Sequence, residues 1–170
     1  AKRPLIIAGT AAGDINTLKV AANIATALYS KKSAAIDLCL TVAEVNTVGA
    51  SLLAKPENSL GRALKQLTEG AVKNVIIIEN DLYQRADTDT VSKALAAASA
   101  VAVVDSLPNK TTDSATLVLP ATAFSEHEAT YINYEGRAQL SFQVHRCHTE
   151  AKPSWRWLTG ADIAHVDDLI

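Results

Sequence analysis

The chain has 170 residues, with 16 Lys and Arg against 18 Asp and Glu and a formal charge of −2. No dense cationic cluster is present to meet a phosphate backbone, so nucleic acid is not an expected partner. At 18.0 kDa a folded monomer exposes roughly 8,000 Å² against roughly 26,000 Å² unfolded, which gives a core that needs neither disulfides nor a structural metal.

The longest nearly unbroken apolar stretch, Ala94 to Val104, contains Ser99 and is too short to span a bilayer, so no direct membrane insertion is expected. The N-terminus lacks the ordered regions of a signal peptide. Cys39 and Cys147 allow at most one bridge, which fits a reducing compartment and a cytoplasmic location. Apolar residues make up 48% of the chain, and that content excludes disorder. Methionine is absent, which fits either removal of an initiator or a chain that is part of something longer.

Pro4 to Ala8 reads as a short buried strand running into the turn Gly9-Thr10-Ala11-Ala12-Gly13. Leu18, Ala21, Ala22, Ala25 and Leu28 then recur at helical spacing, with Asp14 placed to cap a helix from Ile15 to about Tyr29. Ala34 to Leu40 is a second strand, and Val42 to Asn58, broken by Gly49 and Pro56, reads as partly loop. Helical spacing returns from Ser59 to Leu67 and is closed by Glu69-Gly70. Val75 to Ile78 is β-branched throughout and too apolar to face water on either side, the pattern of a central parallel strand. Asp87 caps a helix over Thr88 to Ala98; Ala100 to Val104 and Thr116 to Leu119 are further strands, the last stopped by Pro120. Such alternation predicts one α/β domain with an open, doubly wound, mostly parallel sheet over residues 1–120. Residues 121–170 read as an irregular segment with a short strand near Gln139 to Val144 and a C-terminal helix that Ser154 caps.

In such a sheet ligands sit beyond the carboxyl ends of the strands, which singles out Gly9 and Thr10, Glu79 to Asp81, and Asp105 with Ser106. Gly9 and Gly13 would let amides approach a phosphate, yet the spacing matches neither the dinucleotide fingerprint nor the P-loop, and a tight turn alone accounts for them. Glu79, Asp81 and Asp105 are the residue type that holds Mg²⁺, and equally the type that caps turns and helices. His145, Cys147 and His148, with Cys39, offer soft-metal ligands without the paired spacing of a zinc site. Ser125, Glu126 and His127, or Cys147 with His145, are neighbours on extended chain and point apart, which disfavours a nucleophilic triad. Trp155 and Trp157 either anchor a partner or pin the C-terminal segment to the domain's own core.

One stretch carries a resemblance. Leu119-Pro120, Glu126, Ala129-Thr130 and Asn133-Tyr134-Glu135-Gly136-Arg137-Ala138-Gln139 resemble a signature of the molybdopterin oxidoreductase superfamily: a strand ending in Leu-Pro, then Glu, Gly-Thr and Asn-x-Glu-Gly-Arg-x-Gln. Glu79 to Tyr83, Ala151 to Trp157 and Lys2 to Ile7 are similar to the large iron–sulfur subunits of bacterial NADH:quinone oxidoreductase, respiratory complex I. The resemblance implies a C-terminal portion of a larger polypeptide. It also implies partners among the other subunits of the peripheral arm, at the cytoplasmic face of the inner membrane. Iron–sulfur clusters are then expected in the missing part, since two distant cysteines cannot hold one.

Departures from the signature bear on the cofactor. Cofactor-bearing members of the superfamily commonly have Gly-x-Asn-Pro after the third strand, where this chain has Ile78-Glu79-Asn80-Asp81, and Ala129 replaces the usual Gly. The resemblance thus implies a structural domain with no cofactor and no catalytic residue in this segment. Pro120, Glu126, Thr130, Asn133, Glu135, Gly136, Arg137 and Gln139 are its structural motif. Asn133, Glu135, Arg137 and Gln139 are expected to form a polar network fixing the segment after Pro120 against the sheet. The alternatives are a portion of an active molybdopterin enzyme, of formate dehydrogenase or nitrate reductase type, and a stand-alone nucleotide-binding module.

Overall fold

Strand and helix signals alternate in the computed structural model much as they do in the sequence; it describes residues 3–10, 14–32, 35–55 and 57–159. The elements are β1 (Leu5–Gly9), α1 (Ile15–Lys32), β2 (Asp37–Thr41), α2 (Thr47–Leu53) and α3 (Leu60–Thr68). After them come β3 (Asn74–Ile78), α4 (Thr88–Ala97), β4 (Ala100–Asp105), α5 (Lys110–Asp113) and β5 (Leu117–Pro120). β6 (Ala129–Ile132), β7 (Ala138–Ser141) and α6 (Ser154–Thr159) complete the described chain. The fold is α/β, with open parallel sheets.

The chain divides into two compact units, residues 1–53 with 131–139 and residues 54–130 with 140–170. In the first, β1 and β2 pair in parallel from Leu5 with Asp37 to Gly9 with Thr41, and α1 packs on both. Within the stretch expected to be partly loop, Thr47–Leu53 forms α2. Asn46, just before it, accepts the Ile132 amide on Oδ1 at 2.9 Å.

The second unit holds the larger core. Its strands run β3, β4, β5 in chain order, all parallel, with Ile76 beside Ala102 and Ala102 beside Leu117. Leu64 and Leu67 of α3, Val91 and Ala94 of α4, and Val101 and Val103 of β4 are buried together in one core. Side-chain caps set the helix starts: Ser59 accepts the Arg62 amide and Asp87 the Thr90 amide, each satisfying a free N–H of a first turn. Gly70, at φ +72, follows the last turn of α3.

β3 is not the central strand that its composition suggests. Among the described residues that place belongs to β4, and β3 lies at one end of the three, with Ile76 59% and Ile78 43% exposed. A β-branched run encodes extended backbone, whereas lateral position depends on which later segments supply neighbours. The segment after Pro120 is also more regular than expected, since β6 and β7 form a two-stranded sheet and Ala121 makes a parallel bridge to Lys152. Four residues of Ala-Thr-Tyr-Ile are too short a pattern to announce β6.

Candidate functional site

The carboxyl ends of β3, β4 and β5 form the crest of the second unit, and the residues expected there converge in an unexpected way. Asp81 accepts the Tyr83 amide at 3.2 Å and the buried Thr111 hydroxyl at 2.8 Å on the same oxygen, and that hydroxyl in turn accepts the Leu82 amide. Asp105 accepts the amides of Ser106 and Leu107 on Oδ1 and the Asn109 side chain on Oδ2. Asn109 accepts the Thr111 and Thr112 amides at 3.0 Å each, completing a capping box on α5. The loop amides that a bound phosphate would need are therefore capped by the chain's own side-chain oxygens. Among the described residues no group of His, Cys, Asp and Glu is arranged to hold a metal ion.

Glu79, the first residue beyond β3, has a left-handed backbone at φ +46, a costly region for a residue with a Cβ. It is held there by its amide, which donates to Val104 O at 2.8 Å, and by its carboxylate, which accepts the Ser154 hydroxyl at the start of α6. Burial raises its pKa; His127 pulls it down and Asp105 pushes it further up.

Residues 151–159 cross this crest as a strap. Lys152 N donates to Pro120 O at 3.2 Å, Thr122 N donates to Lys152 O at 3.1 Å, and Trp157 Nε1 donates to Pro120 O at 2.8 Å. Both tryptophans are thus engaged within their own unit: Lys152 lies 4.9 Å from the Trp157 ring centre and Arg156 5.1 Å from that of Trp155. Under the strap, Thr122 is 3% exposed and its Oγ1 lies 2.9 Å from His127 Nδ1. Glu126 closes its own turn by accepting the Ala123 amide. A cavity of about 420 Å³ opens beside them, lined by His127, Arg146, Cys147, Lys152, Trp155 and others.

The remaining motif residues lie elsewhere. Asn133 Oδ1 accepts the amides of Glu135 and Arg137, and its own amide donates to Arg137 O, so it folds the tip that joins β6 to β7. Gly136 sits in that tip at φ +78, which only glycine adopts freely. Where a network binding this segment to the sheet is expected, the polar contacts of Asn133 close the turn itself. Arg137 reaches Glu135 at 3.7 Å with both side chains about 70% exposed, a pair of small energetic value. Thr130 lies in β6 and Gln139 in β7.

Of the other candidates, Gly9 is explained by packing, because a Cβ there would meet Thr41 Oγ1 at 2.3 Å. Gly13 lies outside the described residues. Cys39 and Cys147 are free thiols, the latter 3.1 Å from Thr149 Oγ1. His127 is committed to Thr122 rather than to Ser125, whose carbonyl accepts the Val144 and His145 amides. Sequence reasoning missed Ser154 as the partner of Glu79 and Thr122 as the partner of His127. Separations of 75 and 5 residues leave no local pattern to read.

The sequence profile of the molybdopterin oxidoreductase family matches residues 5–159. The chain belongs to that family. It is 40% identical over its whole length to the G subunit of the NADH-quinone oxidoreductase of Pseudomonas fluorescens. Over 93% of its length it is 40% identical to the same subunit of Escherichia coli K12 and 37% identical to that of Shewanella oneidensis. It spans about a fifth of the length of these relatives, 18 to 19%. The family name implies a molybdopterin, a phosphate-bearing pterin. The crest of this member does not fit such an anion: its loop amides are capped by Asp81, Asp105 and Asn109, and Glu79 adds a further carboxyl bonded to the strap.

Proposed function

We propose that this chain is a structural, non-catalytic domain of the large peripheral-arm subunit of an NADH:quinone oxidoreductase. It supports electron transfer from NADH to quinone without holding a redox centre. The observation that carries this reading is the strap: Glu79, Pro120 and Thr122, at the strand ends where a member of this family would receive a ligand, are bonded to Ser154, Trp157 and Lys152. The length of the relatives supports a larger native polypeptide, whose remaining part would carry the iron–sulfur clusters and meet the other subunits of the arm at the cytoplasmic face of the membrane. No helix among the described residues is long and apolar enough to cross a membrane, in keeping with a peripheral position.

The test is to isolate the native polypeptide carrying this segment with an antibody, then measure its mass, visible absorbance and molybdenum and pterin content. A brown protein several times larger than 18.0 kDa, copurifying with NADH:quinone oxidoreductase activity and free of molybdenum and pterin, is expected. Stoichiometric molybdenum and pterin would replace this reading with that of an active molybdopterin enzyme. A colourless protein of 18.0 kDa would end the respiratory assignment.

A further inference from the structure

Three features of the strap stand apart from its role as a cover. It belongs to the sheet by only a few bonds, the parallel bridge of Ala121 to Lys152 and the contacts of Pro120 and Thr122, whereas β4 beneath it is paired on both edges along its length. It is tied to the far edge of the sheet by a side-chain bond, from Ser154 to Glu79. That Glu79 holds a left-handed backbone, a conformation that persists only while the surroundings enforce it. Segments held to a sheet by few backbone bonds open at lower free energy than the core they rest on.

We propose that Glu79 and Ser154 form a latch, and that residues 151–159 open and close as one unit over the carboxyl ends of β3, β4 and β5. The opened state bares Glu79 and the Thr122–His127 pair to water while the sheet stays folded. Closing the latch removes water from the Glu79 carboxyl, so the closed strap favours its neutral form and the open strap its charged form. The groups acting on that carboxyl are Asp105 at the end of β4, which works with burial, and His127 on the segment after β5, which opposes both. Asp81 is turned to its own loop and Thr111, and Lys152 and Arg156 of the strap lie by the rings of Trp157 and Trp155. A pKa raised in the closed state gives closure its full strength below the ordinary glutamate range and weakens it as pH climbs through the raised value. The latch is therefore tighter in acid and looser in base.

Native-state amide exchange on the whole chain tests this, with protection at Thr122 and Lys152 divided by protection of the β4 amides and corrected for intrinsic rates. In the parent chain the ratio is expected to fall several-fold between about pH 4.5 and about pH 8, a span that brackets a raised glutamate pKa. Glu79→Gln keeps an acceptor for Ser154 but cannot ionise, and its ratio is expected to stay high and flat with pH. Ser154→Ala removes the donor and is expected to lower the ratio about tenfold at every pH. A ratio in the parent chain that is flat with pH, or one that moves with pH in Glu79→Gln just as in the parent, overturns the proposal. So does exchange of the strap amides only in step with β4. Should Ser154→Ala fail to fold, the comparison of parent and Glu79→Gln decides alone. None of these readings involves molybdenum, pterin or respiratory activity, so the latch and the proposed function fail independently.

Discussion

Replacing Gly49 with alanine has opposite expected signs in two backgrounds. An ideal Cβ at Gly49 falls 2.3 Å from Asn46 Oδ1 and 3.0 Å from its Cγ. The carboxamide can swing aside at little steric cost, but Oδ1 is the acceptor of the Ile132 amide at 2.9 Å. Losing that acceptor costs about 1–3 kcal/mol, while alanine in α2 gains about 0.5–1 kcal/mol over glycine. Gly49→Ala alone is therefore expected to destabilise the first unit by up to about 2.5 kcal/mol. With Asn46→Ala already in place the obstacle is gone, and the same change is expected to stabilise by about 0.5–1 kcal/mol. Urea denaturation of the four members of the cycle, with amide exchange at Ile132 as the local readout, measures the coupling. If Gly49→Ala stabilised equally in both backgrounds, the steric argument would be refuted.

Three further outcomes follow from the geometry. Leu64→Ala, at a site 2% exposed in the core under α3, is expected to lower stability by about 2–5 kcal/mol, read as a shifted urea midpoint at constant m. The Asp87 carboxyl is held below its ordinary pKa by the backbone and side-chain hydrogen bonds from Thr90. Its contribution is thus present above the ordinary carboxylate range and lost as pH falls through the lowered value; Asp87→Asn, which still caps, should remove that part of the pH dependence of the thermal midpoint. Gly136→Ala, at φ +78 with open space around its Cβ position, is expected to cost about 1–2 kcal/mol in backbone strain alone and to weaken protection of the Arg137 amide.

What the sequence made legible is local chemistry. Asp87 and Gly70 announce the start of α4 and the end of α3 because a cap works within one turn, and the structure places each where its chemistry requires; the cap at Ser59 became visible only in the structure. The β-branched run of β3 announces a strand for the same reason. Lateral order did not follow, since β3 takes its neighbours from segments about 25 residues away. The carboxylates were legible as caps or as ligands, and only the positions of Tyr83, Thr111, Ser106 and Asn109 decide for capping. Glu79 was visible as a departure from its family's pattern, but its left-handed backbone and its bond to Ser154 arise from tertiary context that spacing does not encode. The Asn-x-Glu-Gly-Arg motif is specific as a signature, and its structural content is a turn: an Asn side chain that gathers two amides and a glycine that permits the bend.

The self-capped crest also bears on how these loops hold their shape. A loop whose amides wait for a bound anion reaches its final shape only when that ligand is supplied, and its stability then tracks ligand concentration. Here Asp81, Asp105 and Asn109 play the anion's part from within the chain, at an effective concentration that never changes. Those particular bonds form within the chain itself and depend on no bound anion.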